Sequence, residues 1–340
     1  MASAGEQPPP LRTVAFIGLG AMGWGMAANL AKGAATGKIA SPVLVWNRTT
    51  AKAQEHAAEF GTRCAPKLAE LSAADVIVSC LPTSTQVEET AAQLGPLLRR
   101  GSIWIDCTSG EPVATRAIAA GALHAAGVSM VDCPVSGGPA GAMSGQLTAM
   151  VGGDSSGLAA PIVALFAHKN VVPCGGLGAG HAVKAINNAL NVAHLAIAGE
   201  GLLALAKIGV PPAVALQAIN GSSGRSLQTE VRLPVEVLSR KFGYGFKLGL
   251  MLKDVSIAVD GVCNAAGSSG SETGMLPSVK RLLEDAVESE GYDADYTRVV
   301  RTLEARAGIE LHDDADGETG GDWAAPPFVA GNPATKRQKI

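Results

Sequence analysis

The feature that most constrains this fold is a glycine pattern that directly follows a short apolar run. The run Val14–Ile17 precedes Gly18, Gly20 and Gly23, and a helix-compatible stretch at residues 22–32 continues the pattern. One glycine permits a tight turn, one lets a pyrophosphate approach the backbone, and one allows close packing of the helix on the sheet. The start of the helix then offers unpaired N–H groups to the phosphates. The pattern predicts a dinucleotide-binding turn whose contacts come from Gly18, Leu19, Gly20, Ala21, Met22 and Gly23.

Further apolar runs predict a parallel sheet. Four strand-like runs follow in the first half of the chain, at residues 43–46, 75–80, 102–106 and 128–132. They are separated by Ala-rich stretches of helical character, such as residues 52–60 and 112–126. This alternation predicts a parallel sheet covered on both faces, in which ligands bind beyond the carboxyl ends of the strands. The candidate site therefore comprises the residues after each strand, at 18–23, 47–49, 81–86, 108–109 and 134–138.

The end of the second strand bears on the choice of cofactor. NAD-specific sites usually place Asp or Glu there to hold ribose hydroxyls, whereas this chain has Asn47, Arg48 and Thr49. An amide does not repel a 2′-phosphate, and an arginine binds a phosphate through a planar, charge-assisted fork. NADP is therefore the preferred cofactor, and NAD stays possible, since Arg48 could instead cap the loop or stack on the adenine.

A long helix is predicted after the glycine-rich junction at residues 175–180, over residues 181–209. Lys184 and Asn188 are four residues apart and so share one helix face. A single lysine on a helix is usually a solvated surface group. Here, however, Asn187 and Asn188 lie nearby in an apolar, Ala-rich segment, where unpaired polar groups would be costly. Lys184 is therefore a candidate for chemistry.

Two more segments contain candidate site residues. Ser136, Gly137 and Gly138 can expose backbone N–H groups that bind a carboxylate, although an ordinary turn fits the same residues. Phe246 and Lys253 lie in another helical segment, where a cofactor contact and a plain surface position are both open.

Composition excludes several classes of protein. A chain of 340 residues, 47% hydrophobic and 17% charged, can form two domains with sizeable cores. A net charge of −3 and 4% aromatic residues argue against a nucleic-acid partner. The six cysteines form no CxxC pair, which is typical of reduced thiols in an intracellular protein, and no metal site is predicted. The N-terminus lacks a secretory or transit pattern, and no apolar run reaches membrane-spanning length without a charge or a Gly or Pro break, so we expect a cytoplasmic protein without a membrane partner.

Four motifs occur in order along the chain: Gly18-x-Gly20-x-Met22-Gly23, Asp132-x-Pro-Val-Ser136-Gly-Gly, Lys184-x-x-Asn187-Asn188 and Leu252-Lys253-Asp254. Together they resemble the β-hydroxyacid dehydrogenase family, the 3-hydroxyisobutyrate dehydrogenase-like enzymes, over roughly residues 12–310. The resemblance implies an α/β Rossmann-like N-terminal domain, a long connecting helix and an all-α C-terminal domain, usually assembled as a homodimer or homotetramer. The expected organisation is a disordered N-terminus (1–11), a dinucleotide-binding domain (12–177), a helical substrate and oligomerisation domain (178–311) and a disordered tail (312–340).

The resemblance also implies roles for individual residues. Lys184 matches the catalytic acid/base, Asn188 orients the substrate, and the loop of Ser136, Gly137 and Gly138 holds the substrate carboxylate. The reaction would be reversible hydride transfer between the nicotinamide and a small 3-hydroxy acid or its semialdehyde. The nicotinamide half of the cofactor site would be lined by Leu81, Pro82, Gln86, Thr108 and Ser109, and Lys253 would close over it. Phe246 is a further candidate cofactor contact.

Departures from the family pattern leave the substrate open. The residues at 47–49 look more like those of NADP-preferring glyoxylate and succinic semialdehyde reductases, whereas residues 220–226 resemble 3-hydroxyisobutyrate and D-threonine dehydrogenases. A threonate-like sugar acid and a serine- or threonine-type amino acid also stay possible. Two other functions are alternatives: a decarboxylating enzyme like 6-phosphogluconate dehydrogenase, and a non-catalytic NADP-binding reader or scaffold. An imine reductase is disfavoured because that branch usually replaces the lysine at 184.

Overall fold

A computed structural model describes residues 12–265, residue 267 and residues 274–312. The N-terminus predicted to be disordered (1–11) and all of the predicted disordered tail except His312 lie outside the described residues.

The first part of the chain forms one mixed sheet. Its strand order is β3-β2-β1-β4-β5-β6-β8-β7, with β9 paired to β8. The six strands from β3 to β6 pair in parallel, and the order reverses direction between β1 and β4. Such a reversal opens a crevice at the carboxyl ends of the two strands. The strands are β1 (Val14–Ile17), β2 (Leu44–Trp46), β3 (Arg63–Cys64), β4 (Val76–Ser79), β5 (Ile103–Asp106), β6 (Ser129–Asp132), β7 (Val135–Ser136), β8 (Thr148–Gly152) and β9 (Asn170–Gly175).

Helices cover both faces of this sheet, as predicted. Strands β1, β4 and β5 are buried along their whole length, which explains their continuous apolar sequences. The predicted helix over residues 112–126 is interrupted at Gly121, whose φ and ψ of −87° and −119° are not helical. The helices are α1 (Ala21–Ala35), α2 (Thr50–Phe60), α3 (Ser84–Leu94), α4 (Pro112–Ile118), α5 (His124–Ala126), α6 (Gly138–Ser144) and α7 (Ala160–Val163).

The three strands after β6 were not predicted. Strand β8 runs antiparallel to β6 and β7 and parallel to β9. This extension continues the sheet to the start of the next helix, where a Cβ added at Gly180 would lie only 2.2 Å from the Met150 carbonyl oxygen. The extension therefore holds the Ser136 loop and the long helix together.

The long helix α8 spans Ala179–Lys207, close to its predicted bounds. Its length and apolar composition would also suit a membrane-spanning helix. In the fold it packs against β8 on one side and against the later helices on the other. The remaining described elements are helical, as predicted, and pack around a second hydrophobic core. They are α9 (Pro212–Asn220), α10 (Leu248–Ser256), α11 (Met275–Glu290), α12 (Val299–Ala307), π-helical segments at Gln228–Leu238 and Ile257–Cys263, and a 3₁₀ turn at Tyr296–Arg298.

Candidate active site

A cavity of about 750 Å³ extends from the glycine turn after β1 to the long helix α8. Its walls come from both the sheet and the helical part of the chain. Most of the predicted site residues line it: Gly18, Gly20, Ala21, Met22, Gly23, Asn47, Arg48, Thr49, Leu81, Pro82, Gln86, Ser109, Ser136, Gly137, Gly138, Lys184, Asn188, Phe246 and Lys253. The other two, Leu19 and Thr108, lie behind the cavity wall, each only 1% exposed.

The glycine turn leaves space for a phosphate group. Gly18 has φ +96°, and a Cβ there would lie 2.3 Å from the Cys80 carbonyl oxygen, so the ends of β1 and β4 approach closely only with glycine. A Cβ at Gly23 would lie 1.9 Å from the Gly18 carbonyl oxygen, whereas one at Gly20 would meet no heavy atom of the described residues within 4 Å. Helix α1 begins after Gly20 without a side-chain cap or an acidic residue in its first turn. Its free N–H groups suit a pyrophosphate.

Asn47 holds this turn to the end of β2. Its side-chain oxygen accepts the Leu19 N–H at 3.0 Å, and its amide nitrogen donates to the Thr49 carbonyl at 3.1 Å. The Leu19 side chain belongs to the core of the sheet. Leu19 thus acts on the site through its backbone, and Asn47 shapes the loop in addition to facing the cavity.

Two cationic side chains line the cavity near the end of β2. Arg48 is exposed, and so is Lys52 in the first turn of α2, which the sequence analysis did not identify. Among the described residues neither side chain forms an ion pair. The available signal for Lys52 was its place in the first turn of the helix that follows the Asn47–Thr49 loop.

The loops after β4 and β5 support each other. Thr108, buried behind the wall, accepts the Leu81 N–H on its hydroxyl at 3.0 Å. The Gln86 side-chain oxygen accepts the Thr83 N–H at 2.9 Å, which caps α3. Cys80 lines the cavity beside these loops, and burial raises the pKa of its thiol to about 12. The thiol is therefore protonated at neutral pH.

Lys184 is a buried lysine at the wall of the cavity, only 8% exposed. Burial lowers the pKa of its ammonium group below the usual lysine value; the nearby Asp254 carboxylate raises it, and the Lys253 ammonium lowers it. Within the described part of the chain, the Lys184 side chain has no hydrogen-bond partner. An amine in this state can exchange a proton with a bound molecule.

A chain of polar contacts joins α8 to α10 and to the loop after β5. The Asn187 amide donates to Asn188 Oδ1 at 3.1 Å, and Asn188 Nδ2 donates to Asp254 Oδ2 at 2.6 Å. Asp254 Oδ1 lies 2.8 Å from Lys253 Nζ, which also donates to the Ser109 carbonyl. Asp254 is 2% exposed and lines the cavity. Asp254 belongs to the motif Leu252-Lys253-Asp254 but was not a predicted site residue, and its place next to Lys253 was the available signal.

The Ser136–Gly138 loop lies across the cavity from α8. Gly137 and Gly138 have φ values of +142° and +69°, which few other residues adopt. A Cβ at Gly137 would also lie 2.9 Å from a Leu147 methyl carbon. Ser136 ends β7, where it pairs with Thr148 of β8, and Gly138 is the first residue of α6. Gly137 therefore joins the strand to the start of the helix at the cavity wall.

Asp132 fixes the start of α8 to the end of β6. Its buried carboxylate accepts the backbone N–H of Gly178 at 2.6 Å and that of His181 at 2.8 Å. A Cβ at Gly180 would lie 2.8 Å from the same carboxylate. Because Asp132 lies four residues before Ser136 and His181 lies three residues before Lys184, this contact sets the distance between the two halves of the site.

Two family models match consecutive parts of the chain. Residues 13–175 match the NAD binding domain of 6-phosphogluconate dehydrogenase. Residues 178–303 match the NAD-binding domain of NADP-dependent 3-hydroxyisobutyrate dehydrogenase.

Individual relatives cover nearly the same span. The chain is 30% identical to 2-(hydroxymethyl)glutarate dehydrogenase of Eubacterium barkeri over 88% of this chain and 97% of the relative. It is 32% identical to a probable 3-hydroxyisobutyrate dehydrogenase of Mycobacterium tuberculosis over 87% of this chain and 99% of the relative. A solved structure of the Mycobacterium tuberculosis 3-hydroxyisobutyrate dehydrogenase with L-serine superposes with a TM-score of 0.75 at 28% identity, covering 86% of this chain and 99% of that one.

Proposed function

Because the chain belongs to the β-hydroxyacid dehydrogenase family, we propose that it is an NAD(P)-dependent dehydrogenase of a small 3-hydroxy acid or reductase of the matching semialdehyde. The observation that carries this proposal is Lys184, a buried amine with a lowered pKa at the wall of the cavity. When bound, the nicotinamide cofactor supplies the hydride acceptor or donor.

Lys184 is the general acid/base of the proposed reaction. In oxidation its neutral amine accepts the proton of the substrate hydroxyl, and in reduction its ammonium form returns a proton to the carbonyl oxygen. Because its pKa is lowered, Lys184 has a larger fraction of neutral amine at physiological pH than an exposed lysine has.

Asn188 orients the substrate without adding charge. Its Oδ1 accepts from Asn187 and one amide hydrogen goes to Asp254, so the second amide hydrogen is available for a substrate oxygen. Across the cavity, the backbone N–H groups of the Ser136–Gly138 loop hold the substrate carboxylate. The two contacts place the reacting carbon between α8 and the cofactor side of the cavity.

NADP is the proposed cofactor. Arg48 and Lys52 line the end of the cavity near β2, and Asn47 stands where a carboxylate would repel a 2′-phosphate. The glycine turn would hold the pyrophosphate, and Leu81, Pro82 and Ser109 would face the nicotinamide half.

The proposed substrate is an acid of the size of 3-hydroxyisobutyrate or serine. The relatives named above act on 3-hydroxyisobutyrate and 2-(hydroxymethyl)glutarate, and the solved structure of the Mycobacterium tuberculosis enzyme contains L-serine. These molecules share a primary alcohol on the carbon next to the one that bears a carboxylate.

The two alternative functions have less support. The family model of 6-phosphogluconate dehydrogenase matches only the first part of the chain. The second part matches the family model of NADP-dependent 3-hydroxyisobutyrate dehydrogenase. A non-catalytic reader or scaffold would not need a buried lysine at the cavity, and Lys184 is present there.

Assembly as a homodimer or homotetramer is part of the proposal. Val183, Leu190 and Ile197 are exposed on α8 at intervals of seven residues and so form one apolar stripe. A second copy of the chain would cover this stripe. We also propose a cytoplasmic location, supported by the free buried thiols of Cys107 and Cys133.

A substrate panel tests the proposed function. The absorbance of NADPH and NADH would be followed with glyoxylate and succinic semialdehyde, and the reduction of NADP and NAD with 3-hydroxyisobutyrate, L-serine and L-threonine. We expect turnover of at least one of these acids or aldehydes, faster with NADP(H). Tight binding of NADPH without turnover of any of them would contradict the proposal.

A further inference from the structure

The hydroxyl group of Tyr244 lies at the Ser136–Gly138 loop. A Cβ added at Gly138 would stand 2.9 Å from the Tyr244 hydroxyl oxygen and 3.7 Å from the ring carbon that bears it. Tyr244 and Gly138 both line the cavity. Within the described part of the chain the hydroxyl has no hydrogen-bond partner. A phenol O–H directed at this loop is therefore free to donate to a bound molecule.

The ring of Tyr244 is held from two sides. The guanidinium carbon of Arg232 lies 3.7 Å from the ring centroid, a cation–π contact. On another side the Tyr296 ring meets Tyr244 edge to face, with centroids 5.7 Å apart and an interplanar angle of 77°. A ring fixed in this way loses little freedom when its hydroxyl binds a ligand.

Arg232 gives this corner of the cavity a positive charge. Its guanidinium lies close enough to Tyr296 to lower the pKa of that phenol against the effect of burial, and it forms no ion pair with any described carboxylate. A cation above the ring attracts its π electrons and makes the phenol a stronger hydrogen-bond donor. The donors at this corner are backbone N–H groups of the loop and one phenol, which together suit an anion.

We propose that Tyr244 is a substrate-binding residue whose hydroxyl donates a hydrogen bond to the substrate carboxylate at the Ser136–Gly138 loop, with Arg232 fixing the ring. This inference rests on the proposed function, because it requires the carboxylate to bind at that loop. Its consequence is specificity: the pocket selects a hydroxy acid over the alcohol of the same shape.

A pair of nearly isosteric ligands tests the inference. The dissociation constants of 3-hydroxyisobutyrate and of 2-methyl-1,3-propanediol, which has a hydroxymethyl group in place of the carboxylate, would be measured by calorimetry on NADPH-saturated protein, because the reduced cofactor cannot accept a hydride from either ligand. We expect Tyr244→Phe to weaken binding of the acid by about 10–100-fold, the usual effect of losing a hydrogen bond to a charged group. Binding of the diol should not change. Arg232→Met should also weaken binding of the acid, by about tenfold.

Tyr292→Phe is the matched control, since Tyr292 is half exposed and is not among the residues that line the cavity. The inference is overturned if Tyr244→Phe binds the acid as tightly as wild type does. It is also overturned if the variant loses equal affinity for the acid and the diol, or if wild type does not bind the acid. NADP reduction by wild type separates the two claims. If wild type reduces NADP with the acid but Tyr244→Phe binds the acid normally, only the role of Tyr244 is refuted. If binding of the acid depends on Tyr244 but wild type does not reduce NADP, only the proposed reaction is refuted.

Discussion

Asn188 on α8 donates a hydrogen bond of 2.6 Å to the buried carboxylate of Asp254 on α10. The same carboxylate lies close enough to Lys184 to raise the pKa of its ammonium group against the effect of burial. One acidic side chain thus orients the substrate-binding amide and tunes the acid/base. The function of Lys184 therefore depends on a residue 70 positions later in the chain (254 − 184).

Replacing Asp254 should shift the pH dependence of the reaction. Asp254→Asn removes an anion that favours the ammonium form, so the pKa of Lys184 should fall further. Oxidation requires the neutral amine, so kcat/KM for the hydroxy acid rises with pH through that pKa, and its midpoint should move to lower pH in the variant. The measurement is kcat/KM against pH for both proteins. Asp260→Asn, which alters an ion pair with Lys280 nearer the surface, should leave the midpoint unchanged; a midpoint that rises in Asp254→Asn would refute the assignment.

Arg48 and Lys52 should select NADPH over NADH. Arg48→Ala should weaken NADPH binding by about 10–100-fold through the loss of a charge-assisted contact, with little change for NADH. Lys52→Ala should act in the same direction. Dissociation constants for both cofactors, measured by fluorescence titration, provide the check. Arg63→Ala is the control, because Arg63 is exposed on β3 and is not among the lining residues. An unchanged NADPH to NADH ratio in both variants would contradict the proposed phosphate site.

Glycine is required at the start of α8 and dispensable in its middle. Gly180→Ala should lower the free energy of unfolding by about 3 kcal/mol or more, because the added Cβ meets the Met150 carbonyl oxygen and the Asp132 carboxylate. Gly201→Ala should raise it by roughly 0.5–1 kcal/mol, since this helical glycine is exposed and no atom in the described part of the chain lies within 4 Å of the added Cβ. Urea unfolding of both variants measures the difference. Equal stabilities would show that Asp132 and β8 do not constrain α8.

The parts of the site that could be predicted are those made by neighbouring residues. The glycine turn after β1 needs only three glycines within six positions, and Lys184 and Asn188 lie one helical turn apart. Their spacing therefore reports their geometry directly.

The parts that could not be predicted come from distant segments or very short ones. Asp254 and Tyr244 reach the site through packing of the later helices on α8, which no local periodicity describes. Strand β7 has two residues, too few for an alternating pattern, and it pairs with β8 beyond a helix. Thr108 looks like a cavity residue from its place after β5, but its hydroxyl turns inward to accept the Leu81 N–H.

The most direct test of the account compares wild type with Lys184→Ala in two measurements on the same preparation. One is kcat with the best hydroxy acid of the panel, and the other is the dissociation constant of NADPH. The account predicts a fall in kcat of about 10²–10⁴-fold, the usual contribution of a general acid/base, while NADPH binding stays within about twofold. Retained turnover, or a loss of NADPH affinity as large as the loss of kcat, would contradict the role of Lys184 as the acid/base.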